Sequence, residues 1–512
     1  MSDVVERTIE GWLATYGAPN ACAATLLCDR HDPNATAFIL VDAEYRSRKL
    51  SHRELGDLSS RLATGLKARG VSAGDRVGVL MSKRLEYAVT LMALWRIGAV
   101  LVPMFTAFQT GAIEVRVVGS GAKLVVTEPT QRSKVDRIDG VDVLSTGPEF
   151  DELLTREPDT QPAVIGPDGL IAMLFTSGTT GKPKGVPIPI RALSAFSSYL
   201  HFGLDVRADD VFWDAADPGW AYGLYYGVIG ALAHGRTSIL FDANFSADST
   251  REVLRRFEVT NFTGAPTMYR AMAKDSSFHG FSLRRASSAG EPLTPDVIDW
   301  GREALGVEVR DHYGQTEHGM CIVNCWHDDL RQPVKTGSMG PALPGFAAGV
   351  IDGQIVLDVK GSSLMYFHDY CDAPEKTAER FTADGRWYLT GDIGRVDDEG
   401  HFYFDSRDDD VILASGYRIG PYDVENVVSA HPSVDEVAVV GKPDTLRGEV
   451  VTAYVVLVDD AKPSDELAKD LQELVRNGYS AHAYPRVVNF VETLPKTPSG
   501  KIQRYLLKHR VD

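Results

Sequence analysis

Short apolar runs with strand character alternate with segments of helical periodicity over the first four hundred residues. Leu55 to Arg69 carries apolar residues at helical spacing, and the strand-like run Val77 to Met81 follows it. Tyr87 to Ile97 again has helical spacing, and Ala99 to Pro103 again resembles a strand. This alternation is typical of α/β layers built on largely parallel sheets. Further short buried strands are predicted at Lys123 to Thr127, Ile171 to Thr176 and Ser238 to Phe241.

The pattern changes toward the C-terminus, and the 512 residues exceed what one hydrophobic core usually covers. Gly337 to Phe404 contains short strands separated by glycines, which indicates a small β-barrel subdomain. A compact mixture of helices and strands then follows the acidic segment Ser406 to Asp410. We therefore predict a large N-terminal domain of layered α/β subdomains plus the small barrel, residues 1–405, and a small mobile α+β domain, residues 406–512.

The charge balance restricts the partners of the chain. Seventy acidic residues against 53 basic ones give a net charge of −17, which disfavours binding to nucleic acid or to an anionic membrane. An anionic substrate therefore needs a local cationic or amide-lined pocket. Five cysteines, an odd and sparse set, favour a reducing compartment, and no long apolar segment or basic leader is present, so a soluble cytoplasmic protein is expected. A homo-oligomer is left open.

The segment from Thr176 to Gly185 has the composition of a phosphate-binding loop. Three glycines allow a tight turn that directs amide hydrogens at an anion, and four hydroxyls and two lysines add further donors. The segment is not a Walker A loop, because that spacing requires glycine where Thr176 stands. The predicted contacts to a polyphosphate are Thr176, Ser177, Gly178, Thr179, Thr180 and Lys184.

TSGTTGKPKG resembles the signature loop of the adenylate-forming superfamily, which includes acyl-CoA synthetases, luciferases and peptide-synthetase adenylation domains. Five further family motifs follow in family order: SSAGEPL (287–293), DHYGQTEHG (311–319), YLTGDIGR (388–395), SRDDDVILASGYRIGP (406–421) and LPKTPSGKIQR (494–504). The similarity in layout covers essentially the whole chain. DPGWAYGLYYG (217–227) and HAYPR (482–486) are similar to the medium-chain acyl-CoA synthetase branch.

The resemblance implies ATP, Mg²⁺ and CoA as cofactors and assigns nucleotide contacts. Glu317 matches the family glutamate that binds Mg²⁺, and a carboxylate oxygen is a ligand that this cation prefers. Thr316 matches the residue at the α-phosphate, and Asp392 and Arg407 match the residues at the ribose and the nucleotide. Asp392 is expected at the end of the strand-like segment WYLTGD. The adenine-binding segments correspond to Gly290, Glu291 and Pro292, and to Asp311, His312, Tyr313, Gly314 and Gln315.

The C-terminal motifs imply two half-reactions that use different faces of the small domain. Lys501 matches the family lysine that bridges the attacking carboxylate and the α-phosphate, so the predicted catalytic residues are Lys501, Thr316 and Glu317. The family uses the loop around Gly416 in the other half-reaction, so we expect rotation about a hinge at Asp409. The CoA contacts implied are Ser415, Gly416, Tyr417, Arg418, Arg447 and Tyr484, although many relatives carry lysine at the position of Ala483.

Trp220, Tyr222 and Gly314 are the predicted acyl-pocket residues, and Tyr225 and Tyr226 are further aromatic candidates. Aromatic core packing is the alternative for all four aromatic residues. Acetate-specific relatives place tryptophan where Gly314 stands, so glycine favours a medium-sized, branched or cyclic acid. The predicted function is ATP-dependent acyl-CoA ligation through an acyl adenylate. Two alternatives stay open: an enzyme that only thioesterifies a preformed acyl adenylate, and a ligase that loads a carrier protein.

Overall fold

A computed structural model of the chain describes residues 3–159, 161–176, 183–408, 410–414, 417–444, 448–480, 483–497 and 501–510. Contacts divide the chain into two compact units. The first contains Met1–Ala348 and Leu357–Tyr388, and the second contains Gly349–Val356 and Leu389–Asp512. The functional boundary at residues 405 and 406 stays a prediction. No helix within the described residues combines the length and apolar character needed to cross a lipid bilayer.

The first unit is built on two sheets whose central strands are parallel. Its strands are β1 (Thr36–Val41), β2 (Ser47–Ser51), β3 (Arg76–Leu80), β4 (Val100–Pro103), β5 (Leu124–Thr127), β6 (Asp142–Ser145), β7 (Leu170–Thr176), β8 (Lys184–Pro189), β9 (Phe212–Asp214), β10 (Ser238–Phe241), β11 (Asn261–Gly264), β12 (Arg285–Ala289), β13 (Val309–Gln315), β14 (Gly319–Val323) and β15 (Ser338–Gly340).

Helices surround these strands. They are α1 (Asp3–Tyr16), α2 (His52–Ala68), α3 (Leu85–Ile97), α4 (Thr110–Ser120), α5 (Pro148–Leu153), α6 (Leu193–Ser198), α7 (Ala231–Ala233), α8 (Ala247–Arg256), α9 (Pro266–Ala273), α10 (Pro295–Ala304) and α11 (Pro374–Ala378). π-helical segments occupy Thr25–Asp29, Tyr199–Gly203 and Gly223–Gly230, and 3₁₀ turns occupy Arg132–Lys134 and Ile190–Ala192.

Local sequence explains how these elements begin, end and pack. The Ser51 side chain accepts a hydrogen bond from the Glu54 amide and so caps the start of α2. α3 ends at Gly98, which adopts the left-handed conformation that glycine tolerates best. β4 is apolar along its whole length and β5 is apolar up to its last residue, Thr127. Both strands are fully buried, as expected for strands covered on both faces.

The strand order places the ends of several neighbouring strands along one sheet edge. The larger sheet has the order β14-β13-β12-β11-β9-β10-β1-β2, in which β13 through β1 run parallel and the two outer strands are antiparallel. The smaller sheet has the order β6-β5-β3-β4-β7-β8, with β8 antiparallel to β7. Ligands of open α/β sheets bind outside the carboxyl ends of parallel strands, so that edge of the larger sheet is the expected place for a site.

The remaining elements follow toward the C-terminus. The strands are β16 (Ala348–Ile351), β17 (Gln354–Asp358), β18 (Trp387–Val396), β19 (Phe402–Arg407), β20 (Ile412–Ala414), β21 (Tyr417–Ile419), β22 (Val434–Asp444), β23 (Gly448–Leu457) and β24 (Val487–Phe490). The helices are α12 (Pro421–Ser429), α13 (Asp465–Gly478) and α14 (Arg504–Lys508).

The second unit combines two groups of strands. β19, β18, β17 and β16 pair in that order, in the region where short glycine-separated strands were predicted. β21-β20-β23-β22 form a further sheet, to which β24 adds parallel to β23. Val424 and Val428 of α12, together with Leu471 and Val475 of α13, belong to one buried apolar cluster with this sheet. The predicted α/β fold class, with a separate α+β unit at the C-terminus, is confirmed.

Candidate active site

Predicted nucleotide contacts lie along the carboxyl edge of the larger sheet. Gly290 to Pro292 directly follow β12, and the Thr316–Glu317 turn directly follows the neighbouring strand β13. The two segments contact each other, since the Leu293 amide donates to Oδ2 of Asp311 at 3.3 Å. The structure therefore brings together the two segments that the sequence assigns to adenine.

Tyrosine hydroxyls fix the turn that carries Thr316 and Glu317. The Thr316 carbonyl accepts hydrogen bonds from the Tyr225 hydroxyl at 2.9 Å and from the Tyr366 hydroxyl at 3.1 Å. On the other side of the turn, the Met320 amide donates to the Tyr226 hydroxyl at 2.8 Å. Tyr225 and Tyr226 are fully buried and make these contacts within the core, which favours the core-packing interpretation for these two aromatic residues.

Glu317 lies in a mixed cluster of one carboxylate, one phenol and two cations. Its Oε1 accepts a hydrogen bond from the Tyr370 hydroxyl at 2.6 Å, and the Arg380 Nε donates to the same hydroxyl oxygen at 3.2 Å. The Lys184 ammonium lies 5.0 Å from the centre of the Tyr370 ring. Burial, together with the neighbouring Arg380 and Lys376, lowers the pKa of Lys184. This cluster supplies the local positive charge that an acidic protein needs in order to bind a polyphosphate.

Sequence reasoning missed Tyr370 and Arg380. Both lie in the segment between β17 and β18, more than fifty residues from Glu317, and neither belongs to the motifs used to assign the site. The only available signal was the density of charged residues in the segment PEKTAER, which also fits an exposed helix. Their role becomes visible only when the fold places them beside the Thr316–Glu317 turn.

The predicted phosphate loop connects two antiparallel strands. Thr176 at the end of β7 pairs with Lys184 at the start of β8, so the chain leaves and re-enters the smaller sheet at one point. Ser177, Gly178, Thr179 and Thr180 lie outside the described residues. Their predicted contacts with phosphate stay predictions.

A magnesium ion fits the donors around Glu317. Mg²⁺ is usually bound by one or two carboxylates together with substrate phosphates and water, rather than by an all-protein cage. Within the described residues no group of three or more His, Cys, Asp or Glu side chains could bind a metal ion. A single buried carboxylate is the protein ligand expected for a metal that is shared with a phosphate, and the neighbouring cationic side chains suit the phosphate. Glu317 therefore remains the predicted ligand.

The buried face of the sheet near the predicted acyl pocket carries a chain of polar aromatic side chains. The Tyr222 and Tyr199 hydroxyls are 2.8 Å apart, and the Tyr199 hydroxyl lies 2.7 Å from Nδ1 of His312. Nε2 of His312 lies 3.2 Å from the Asn324 carbonyl oxygen, and burial lowers the pKa of His312 to about 3. The imidazole is therefore neutral at physiological pH and acts as a hydrogen-bonding link beneath Tyr222.

Trp220 and Gly314 have different surroundings. Trp220 is half-buried and packs against Phe105 and Phe108, with ring centroids at 6.2 and 5.3 Å. A Cβ at Gly314 would lie 2.2 Å from the Gly319 carbonyl oxygen, because the β14 backbone approaches closely. In this structure a side chain at 314 would therefore require the β14 backbone to move.

The second unit contains Asp392 and Arg407 as a cross-strand pair. Asp392 in β18 is opposite Arg407 in β19, and the Arg407 Nε lies 3.1 Å from Oδ1 of Asp392. The sequence placed Asp392 at the end of a strand, and this was wrong, because β18 continues to Val396. Beyond Asp392, buried and half-buried residues still alternate as far as Gly394, which is the pattern of a strand with one face in the core.

The backbone of Lys501 is hydrogen-bonded to Thr497. The Thr497 amide donates to the Lys501 carbonyl at 2.7 Å, and the Lys501 amide donates to the Thr497 hydroxyl at 3.1 Å. The following helix α14 is anchored by Arg504, whose Nη2 donates to both oxygens of Glu425 at 2.9 and 2.7 Å. The chain around Lys501 is therefore fixed at both ends within the second unit.

Few of the predicted CoA contacts can be placed. Ser415, Gly416, Arg447 and the predicted hinge Asp409 lie outside the described residues, and only the backbone of Tyr417 and Arg418 is described, in β21. Ala414 pairs with Gly448, which joins β20 to β23. Tyr484 is half-buried, with the Arg486 guanidinium 3.9 Å from its ring centre.

Two family models match the chain: the one described as AMP-binding enzyme over residues 28–362, and the one described as AMP-binding enzyme C-terminal domain over residues 423–501. The acetyl-coenzyme A synthetase of Bacillus subtilis (strain 168) is 34% identical over 521 aligned residues, covering 95% of this chain and 90% of that protein. The mitochondrial acyl-coenzyme A synthetase ACSM3 of Mus musculus is 36% identical over 509 residues, covering 93% and 86%. The crystal structure of the Brucella canis acyl-CoA synthetase is 40% identical with a TM-score of 0.76, covering 99% of this chain and 97% of that one.

Proposed function

This chain belongs to the family of AMP-binding enzymes and is an AMP-forming acyl-CoA ligase. From this premise we propose that it activates a medium-sized, branched or cyclic carboxylic acid. In the first half-reaction, a substrate carboxylate oxygen attacks the α-phosphorus of ATP, the bond to the β-phosphate oxygen breaks, and pyrophosphate leaves. In the second, the CoA thiolate attacks the acyl carbon of the adenylate and AMP leaves, while the thiol proton passes to solvent.

The observation that carries the proposal is the cluster of Glu317, Tyr370, Lys184 and Arg380 beside the Thr316 turn. Lys184 and Arg380 attract the triphosphate into a protein of net charge −17. A Mg²⁺ ion at Glu317 would neutralise charge on the phosphates as pyrophosphate leaves. The side chains of this cluster bind and orient the nucleotide, which is most of what phosphoryl chemistry requires from a protein.

The second unit supplies the remaining proposed groups. Asp392 has a buried carboxylate beside Arg407, an arrangement suited to a diol and a neighbouring phosphate. Lys501 would contact the carboxylate and the α-phosphate as charge builds on them. The loop around Gly416, with Arg418, Arg447 and Tyr484, would bind CoA in the second half-reaction.

The proposed size of the acid rests on residues 222 and 314. In this structure a side chain at Gly314 meets the β14 backbone, so a tryptophan could not close the pocket there without moving that strand. Tyr222 is half-buried, and its hydroxyl is hydrogen-bonded to Tyr199, which in turn is hydrogen-bonded to His312. These features favour an acid with a ring or branch over acetate.

The decisive experiment measures pyrophosphate release with ATP and Mg²⁺ over a panel from acetate to straight, branched and cyclic acids, with and without CoA. We expect acid-dependent pyrophosphate release without CoA, thioester formation only with CoA, and the highest kcat/KM for a ring-bearing or branched acid. A best rate with acetate would contradict the proposed substrate size.

The same experiment separates the alternatives. Thioester formed from supplied acyl adenylate, with no pyrophosphate release for any acid, would identify an enzyme of the second half-reaction alone. Adenylation without transfer to CoA would indicate a different thiol acceptor, such as a carrier protein, and pantetheine-loaded carrier protein is the substrate to add in that case.

A further inference from the structure

The hydrogen bonds around Tyr370 have a fixed direction. A guanidinium only donates hydrogen bonds, so the Tyr370 oxygen must accept from the Arg380 Nε at 3.2 Å. The single phenol hydrogen is then directed at Oε1 of Glu317, 2.6 Å away. A short chain of donors thus runs from Arg380 through Tyr370 to one oxygen of Glu317.

The second oxygen of Glu317 is left for another partner. The Glu317 carboxylate accepts a hydrogen bond at Oε1, and none of the residues that the structure describes donates one to Oε2. Tyr370 is 3% exposed and Glu317 is 6% exposed, so their bond is shielded from water. A hydrogen bond to a carboxylate is strong and sensitive to orientation in such surroundings.

We propose that Tyr370 is a positioning residue that presents Oε2 of Glu317 to the divalent cation accompanying the nucleotide, an inference that rests on the proposed function. With Oε1 occupied by the phenol, the carboxylate is oriented for binding through one oxygen. Without the phenol, the carboxylate is able to turn toward the nearby cations Lys184 and Arg380. Loss of such an outer partner typically lowers metal affinity by about 10–100-fold.

Tyr370→Phe removes the hydroxyl and keeps the aromatic ring, so it separates the effect of the hydrogen bond from the effect of ring packing. The Tyr370 ring packs against Phe367 with centroids 4.9 Å apart, and phenylalanine preserves this contact. The matched control is Tyr403→Phe, which removes a phenol from a different carboxylate, Oδ2 of Asp397, at 3.1 Å. Both variants lose one phenol–carboxylate hydrogen bond, and only the first concerns the predicted metal ligand.

The test measures Mn²⁺ binding by electron paramagnetic resonance in the presence of an ATP analogue with a methylene group between its α- and β-phosphates. For Tyr370→Phe we expect the Mn²⁺ dissociation constant to rise about tenfold or more. The Mg²⁺ concentration for half-maximal pyrophosphate release should rise by a similar factor, with kcat largely recovered at saturating Mg²⁺. Tyr403→Phe should match the wild type in both measurements.

Two further outcomes complete the test. A protein with p-aminophenylalanine at position 370 keeps an N–H donor near Glu317, and it should bind Mn²⁺ more tightly than Tyr370→Phe. The proposal would be overturned if both variants bound Mn²⁺ equally weakly, or if Tyr370→Phe bound Mn²⁺ as tightly as the wild type. If the wild type releases no pyrophosphate for any acid yet Tyr370→Phe binds Mn²⁺ less tightly, the proposed function fails and the positioning role stands.

Discussion

Asp214, the last residue of β9, and Asp311, inside β13, are buried carboxyl groups of the larger sheet. Each has one oxygen that accepts no hydrogen bond from the described residues, Oδ2 of Asp214 and Oδ1 of Asp311. Burial raises the pKa of each carboxyl to about 8, against the lowering effect of a backbone amide that donates to it. Both groups are therefore mostly neutral at pH 7.

Asp214→Asn tests this protonation state through stability. The folded-state pKa of Asp214 lies above the unfolded value of 3.8, so unfolding releases a proton between pH 4 and 8. The contribution to stability is complete below the unfolded pKa and is lost as pH rises toward 8, at about 1.4 kcal/mol per pH unit. Asparagine resembles the neutral carboxyl and does not titrate.

We expect the melting temperature of Asp214→Asn to gain on that of the wild type as pH rises from 5 to 8, measured by differential scanning fluorimetry at each pH. The stability of Asp214→Asn should still depend partly on pH, because the buried carboxyl of Asp311 also titrates in that variant. The control is Asp209→Asn at an exposed position. A constant difference between Asp214→Asn and the wild type over this range would show that Asp214 is ionised in the folded protein.

The hairpin of β13 and β14 is the element that connects the fold to the proposed chemistry. It carries Thr316 and Glu317 at its turn, and tyrosines from the segment 223–230 and from the segment before β18 bind that turn. Next to the turn, the backbone atoms of Gly319 and Met320 leave no space for a side chain at Gly314. The position of Glu317 therefore depends on the close approach of these two strands.

Gly314→Ala should destabilise the protein and reduce adenylation together. The added Cβ would meet the Gly319 carbonyl oxygen at 2.2 Å, so β14 must shift, at a cost of about 1–3 kcal/mol. We expect a lower melting temperature and slower acid-dependent pyrophosphate release. Gly111→Ala in α4 is the control, because no heavy atom lies within 4 Å of its Cβ, and it should leave both properties near the wild-type level.

At the scale of the whole molecule, the proposed groups are divided between two units. Glu317 and Lys184 belong to the first, and Asp392, Arg407 and Lys501 belong to the second. The C-terminal loop that carries Lys501 is anchored inside its own unit through Arg504 and Glu425. The second unit is thus able to carry Lys501 as part of a preformed structure, as the predicted domain rotation would require.

Lys501→Ala should separate the half-reactions. We expect acid-dependent pyrophosphate release to fall by about 10²–10³-fold, because a preorganised charge at the α-phosphate is lost. Thioester formation from supplied acyl adenylate and CoA should change little. Lys462→Ala, at an exposed site of the same unit, serves as the matched control. Equal loss of both half-reactions in Lys501→Ala would contradict the proposal that Lys501 acts only in the first half-reaction.

The sequence by itself determined the architecture and the family. Strand and helix periodicity predicted α2, α3, β3, β4, β5, β7 and β10 to within a few residues, because buried parallel strands and amphipathic helices have distinct local patterns. The resemblance to the adenylate-forming superfamily is confirmed by the matches over residues 28–362 and 423–501. The individual site roles stay predictions, and those of Ser177 to Thr180 fall outside the described residues.

Only the tertiary structure decided which side chains surround Glu317. Tyr366, Tyr370 and Arg380 come from a distant segment, and their contacts depend on how the chain returns to the β13–β14 hairpin. The requirement for glycine at 314 likewise arises from the β14 backbone, which lies later in the chain. Local periodicity reports burial and secondary structure, whereas hydrogen bonds between distant segments and close backbone approaches exist only once the sheets have formed.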